Sequence, residues 1–240
     1  MILNMYLNEC SDSTMLVESL EVNSALNNIN NILLSEADDH VKDIKTKLLK
    51  LIEKLKNALK ALWKKIKKMI QSLFGKLKKK KVDDKSQMTF EFRSRYLVTN
   101  PIRVFKNALN LLRELSKYRW VSYEDRIEVK YMLEKINKNG VYERLECSKN
   151  ARDYNINVRD LNPDNVMEVT GEYDNIICNI DATYDKVKGS IEIADEDTKY
   201  IITNCNIILN IISKINSICT STIQEYTVAL SVALSKVEKK

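Results

Sequence analysis

Lysine is the most abundant residue able to do chemistry in this chain, and its spacing points to anion binding rather than bond making. Residues 41–81 read VKDIKTKLLKLIEKLKNALKALWKKIKKMIQSLFGKLKKKK, with 16 Lys against Asp43 and Glu53, a local net of +14. Ammonium groups at this density neutralise phosphate or anionic headgroups. The candidate contacts are Lys54, Lys56, Lys60, Lys64, Lys65, Lys67 and Lys68, then Lys78, Lys79, Lys80 and Lys81, with Trp63 and Phe74 as interfacial aromatics.

Catalytic groups are sparse by comparison. His40 is the single histidine and sits in the acidic run Ala37-Asp38-Asp39, where a solvated linker role fits better than a triad. The carboxylates Glu124-Asp125, Glu192 and Asp195-Glu196-Asp197 suit helix caps and surfaces. No phosphate-cradling glycine motif, zinc-protease motif or nucleophile elbow occurs. Five cysteines, Cys10, Cys147, Cys178, Cys205 and Cys219, form no CxxC pair, so small buried thiols in a reducing compartment are expected. The expectation is a non-enzyme with no cofactor and no metal.

The lysines need an element to position them, and the apolar residues among them define it. Val41, Ile44, Leu48, Leu51, Ile52, Leu55, Leu59, Leu62, Trp63, Ile66, Met69, Ile70, Leu73 and Phe74 step by three and four, the spacing of one helical face. From Val41 to Phe74 this predicts a helix about 50 Å long at roughly 1.5 Å per residue. Gly75 is the expected stop, with Lys76 to Lys81 as a basic tail.

The rest of the chain carries balanced charge except at its start. Residues 1–40 hold Glu9, Asp12, Glu18, Glu21, Glu36, Asp38 and Asp39 with no Lys or Arg, whereas the chain as a whole is +6. The first residues lack the basic start of a signal peptide, and no apolar run reaches the ~20 residues of a membrane span. Synthesis as a soluble chain in a cytoplasm is expected. With four Gly and two Pro in 240 residues, turn formers are few, which disfavours a many-stranded sandwich or barrel.

Helical punctuation recurs downstream. Asn100-Pro101 opens a helix to about Lys117. Ser122 to Asp125 starts another that stops at Asn139-Gly140. Residues 82–92 look like a linker or short strand, and 141–161 look irregular. Asn162-Pro163 leads to a helix over about 171–187, and Asp195 caps a last one over about 196–237. The predicted fold is mainly α: an acidic leader at 1–40, a lysine-rich amphipathic helix at 41–81, a linker at 82–94 and a helical bundle at 95–240.

Three roles suit the lysine helix. It can lie on an anionic membrane with its apolar face in the acyl boundary. It can neutralise nucleic-acid phosphates. Its stripe can instead pack on the C-terminal bundle or on a copy of itself, leaving the lysines solvated. The −7 leader is suited to mask the helix by pairing with its charge and covering its apolar face.

This layout resembles internal virion proteins, the prohead core or ejected proteins, of large tailed bacteriophages. They too have a short acidic leader, a lysine-rich amphipathic helix with Trp and Phe, then a helical domain. In that group a prohead protease removes leaders after Leu/Ile-x-Glu. Leu16-Val17-Glu18 before Ser19 and Leu34-Ser35-Glu36 before Ala37 match the pattern. The resemblance implies a non-enzymatic structural protein of the virion, made in the host cytoplasm, packaged with DNA and in contact with other virion proteins. The alternative is a bacterial membrane-active helical protein, a toxin or immunity-type factor.

Overall fold

The computed structural model describes residues 41–80, 89–95, 100–118, 125–148, 150–161, 163–195 and 199–238. It is mainly α, as the composition implied. In chain order the elements are α1 (Val41–Lys80), β1 (Thr89–Ser94), α2 (Pro101–Leu115), α3 (Arg126–Lys135), a π-turn (Ile136–Gly140) and α4 (Val141–Arg144). They continue with β2 (Arg152–Asn157), a 3-10 turn (Val158–Leu161), α5 (Pro163–Ile193) and α6 (Lys199–Glu238).

The core is organised around α6, which packs against α1, α2, α3, α5 and the π-turn. Its side chains are apolar on almost every face: Ile202, Cys205, Leu209, Ile212, Ile215, Cys219, Ile223 and Leu230 are all buried. A helix apolar all round belongs in the middle of a bundle. Two buried hydroxyls on α6 are satisfied within the helix, Thr222 donating to Ile218 O at 2.8 Å and Thr227 to Ile223 O at 2.7 Å.

The lysine helix is part of this bundle and not a separable arm. Ile44, Leu48, Leu51, Ile52, Leu55, Leu59, Trp63, Ile66, Ile70 and Leu73 are buried where α1 lies against α5 and α6. Fully burying such side chains is worth about 1.5–3 kcal/mol each before chain entropy is counted. That makes packing the dominant use of the stripe.

Gly75 does not stop α1, which runs to Lys80. A glycine ends a helix by taking a left-handed conformation, and no described glycine has positive φ.

Other boundaries moved for similar reasons. Asn100 caps α2 as expected, its Oδ1 accepting from Arg103 N at 3.3 Å. The expected stop at Asn139-Gly140 is instead a π-turn leading into α4, with Gly140 at a helical φ of −70°. Lys214 of α6 holds this wide turn, its Nζ donating to the main-chain oxygen of Asn137 and, at 2.8 Å, to Oδ1. α5 starts at Pro163, earlier than the apolar period suggested. The expected capping residues 122–124 lie outside the described residues.

The region expected to be a linker, and the irregular one after it, pair with each other. β1 and β2 form an antiparallel ribbon from Thr89↔Asn157 to Ser94↔Arg152. A two-stranded ribbon is marginal alone. Here Phe90 and Ile156 are buried, and Ser94 hydrogen-bonds Glu225 of α6.

Candidate anion-binding face

An α-helix turns 100° per residue, which sorts the lysines of α1 into two rows. Lys45, Lys56, Lys60 and Lys67 fall on the flank beside the apolar stripe. Lys47, Lys50, Lys54, Lys64, Lys65 and Lys68 fall on the pole opposite it. The two rows meet different surroundings.

The flank row is consumed by α5. Lys56 pairs with Asp185 and, at 3.4 Å, with Asp181. Lys60 reaches the same Asp181 at 3.4 Å, and Lys67 pairs with Asp174 at 3.0 Å. One pair runs the other way, Lys188 of α5 donating to Glu53 of α1 at 2.8 Å. Numbers rise along α1 as they fall along α5, so these pairs form an antiparallel ladder with steps of three, four and seven residues on each helix. Lys45 extends it by donating to the carbonyls of Glu192 and Ala194, the electronegative end of α5.

Charge states respond accordingly. The hydrogen bond that Lys56 donates to Asp185 holds its ammonium above its ordinary pKa against partial burial. Lys188 holds the Glu53 carboxyl below its ordinary range, chiefly through their hydrogen bond, and is itself raised. Solvent-screened pairs of this kind contribute little to stability individually. The ladder therefore sets the register of α1 on α5, while apolar burial holds it there.

The outer row faces water. Lys47, Lys50, Lys54, Lys64, Lys65 and Lys68 are all exposed, with Asn57 and Ala61 exposed among them. Among the described residues, no ion pair joins any of the six to a carboxylate. From Lys47 to Lys68 the row spans about 32 Å at roughly 1.5 Å per residue. It is an exposed cationic ridge whose lysines pair with no carboxylate among the described residues.

The sites expected from sequence divide along the same line. Lys54, Lys64, Lys65 and Lys68 lie on the ridge, whereas Lys56, Lys60 and Lys67 are engaged with α5. Trp63 is corrected most sharply, from interfacial aromatic to core residue. It is 8 % exposed, stacks edge-on against Tyr173 at 4.8 Å and donates its indole N–H to Asp174. Phe74, Lys78, Lys79 and Lys80 fall in the last turns of α1. Lys81 and the processing positions Glu18, Ser19, Glu36 and Ala37 lie outside the described residues, as does the leader. Its proposed seat on the apolar face is taken by α5 and α6. The sequence reading missed Lys47 and Lys50, which the helical period alone places beside Lys54. It also missed Asp174, Asp181 and Asp185, whose steps of seven and four on α5 match those of Lys67, Lys60 and Lys56 on α1.

Other reactive groups are muted by their surroundings. Burial, with Glu146 and Glu225 nearby, pushes the half-buried Cys147 thiol up to about 12, and burial raises Cys205 to about 12. Such thiols stay protonated at neutral pH and are weak nucleophiles. Cys205 and Cys219 are buried as expected, but Cys178 is exposed. Among the described residues, no group of three His, Cys, Asp or Glu is placed to hold a metal ion. One described helix, α6, is long and apolar enough to cross a membrane, although 67 % of its qualifying window is buried in the bundle. No protein-family model, curated protein or solved structure matches the chain.

Proposed function

We propose that this chain is a non-enzymatic, virion-associated helical protein that binds an anionic partner through the outer lysines of α1. The observation that carries the binding is the ridge itself: six exposed lysines along one helix with no described carboxylate paired to them. A solvated helix face usually mixes Glu with Lys, which gains i,i+4 pairs and avoids self-repulsion. A face of one sign forgoes that stabilisation, and an external polyanion restores it. Assignment to a virion rests on the layout of leader, lysine helix and bundle shared with internal phage proteins.

The membrane-active alternative places a heavier demand on the fold. Insertion by α1 requires its ten buried apolar side chains to leave α5 and α6, since its outer face carries lysine and small or polar residues only. Binding through the ridge asks for no such rearrangement.

Two measurements test the reading. Calorimetric titration of the full-length protein with linear polyphosphate should show binding that weakens steeply with salt. Mass spectrometry of purified particles should find the chain, starting at Ser19 or Ala37 if its leader has been removed. No polyphosphate binding at low salt sinks the anion-binding role, and absence from particles sinks the virion assignment.

A further inference from the structure

We infer that the partner of the ridge is the phosphate backbone of duplex nucleic acid, bound without regard to sequence and with the bundle intact. This rests on the anion-binding reading above and narrows it. Three anionic surfaces compete for such a ridge: a lipid bilayer, a single strand and a duplex.

The bilayer is disfavoured by what the ridge lacks. Interfacial helices hold a surface by sinking apolar side chains among the acyl chains while lysines reach headgroups. Here those side chains are committed elsewhere, and the interfacial anchor, Trp63, is pinned between Tyr173 and Asp174. Between Lys47 and Lys68 the exposed residues are Lys, Glu53, Asn57 and Ala61. Nothing there can enter hydrocarbon.

The single strand is disfavoured by the same composition. Proteins that hold single strands add aromatic platforms on which bases stack, worth about 1–3 kcal/mol per base. Trp63 is the sole aromatic between Val41 and Leu73, and it is buried. Among the described side chains from Lys47 to Lys68, no exposed aromatic accompanies the charge.

The duplex fits what remains. It presents charge and no accessible base faces on its outside, at about one negative charge per 1.7 Å of axis. A rigid row about 32 Å long therefore runs beside many phosphates at once. Rigidity matters, because a row already held by burial and by the α5 ladder loses little backbone entropy on binding. The flank lysines stay with α5 and add little. The contact count is then about six, which predicts a log–log salt slope near −5 at about −0.9 per phosphate neutralised.

The test uses the full chain and a labelled duplex of random sequence, followed by anisotropy across a salt series. A single strand of equal length, phosphatidylglycerol vesicles and linear polyphosphate form the other arms. The ridge variant replaces Lys47, Lys50, Lys54, Lys64, Lys65 and Lys68 by Gln, and the flank variant is Lys60→Gln with Lys67→Gln. Circular dichroism establishes that each is folded. Expected is duplex binding stronger than single-strand or vesicle binding, a slope near −5, and a loss of at least ~10-fold in the ridge variant alone. Vesicle or single-strand binding equal to or stronger than duplex binding overturns the inference and leaves anion binding standing. So does duplex affinity that survives in a folded ridge variant. Failure to bind polyphosphate, vesicles and both nucleic acids overturns the inference and the reading beneath it.

Discussion

Trp63 and Asp174 join the lysine helix to the bundle through a single carboxylate. The indole N–H of Trp63 donates to Oδ1 of Asp174, and Lys67 holds Oδ2 at 3.0 Å. Lys67 also lies 5.5 Å from the centre of the Trp63 ring. One aspartate of α5 thus satisfies a buried indole and pairs with a lysine one turn further along α1. Behind the indole, Tyr173 touches Phe105 of α2 at 5.4 Å and hydrogen-bonds Thr220 of α6 at 2.9 Å. Four helices converge there.

Truncating Trp63 should therefore act as a core mutation. Trp63→Ala is expected to cost about 3–5 kcal/mol, the range for deleting a buried large aromatic. Asp174→Ala should cost less, about 1–3 kcal/mol, by leaving the indole N–H without its acceptor. Urea unfolding monitored by circular dichroism measures both. A Trp63→Ala cost below ~1 kcal/mol would show that α1 does not depend on this contact.

The ladder between α1 and α5 should contribute specificity more than stability. A double-mutant cycle on Lys67 and Asp174, using Lys67→Met and Asp174→Asn, is expected to give a coupling of about 0.2–1 kcal/mol that shrinks at high salt. Asn keeps an acceptor for Trp63, which isolates the ion pair. Coupling well above that range would mean the ladder, and not the apolar stripe, holds α1 in place.

Lys214 should be worth more than its charge suggests. It is half-buried and donates into the π-turn at Asn137. Lys214→Met keeps the stem and removes the donor, leaving the Asn137 carbonyl to find water. The expected cost is about 1–3 kcal/mol, with amide hydrogen exchange accelerated first over residues 133–145. Uniform acceleration across the bundle would instead make Lys214 a global support.

Glu225 sets a pH dependence of known sign. Burial raises its carboxyl above the ordinary 4.5, only partly offset by the hydrogen bond from Ser94. A carboxyl with a folded pKa above its unfolded one binds its proton more tightly in the native state. Its favourable contribution is complete below about 4.5 and is lost as pH rises through the folded value. Glu225→Gln should therefore raise the melting temperature relative to the parent at pH 7 and change it little at pH 4. The reverse order would show that the ionised carboxylate is a net support for the ribbon.

The α-helical class, α1 with its stripe, the Asn100 cap and the option of a short strand within 82–92 were legible from the residues alone. Each depends on a local rule: a three-four period, a capping side chain, or the lack of a helical period. β2 was not legible, because Arg152-Asp153-Tyr154-Asn155-Ile156-Asn157 has weak strand propensity and becomes a strand only by pairing with β1. The π-turn was hidden for a similar reason, since its support, Lys214, lies 77 residues further along the chain.

By itself, then, the sequence determined a basic amphipathic helix and which residues share its apolar face, since helical geometry and side-chain chemistry suffice for both. What covers that face is a long-range matter. An apolar stripe is equally suited to lipid, a second copy or its own chain; here α5 and α6 cover it, and Asp174, Asp181 and Asp185 on α5 fix the register. The tertiary structure thereby split one run of lysines into a flank row bound within the fold and an outer row left to water.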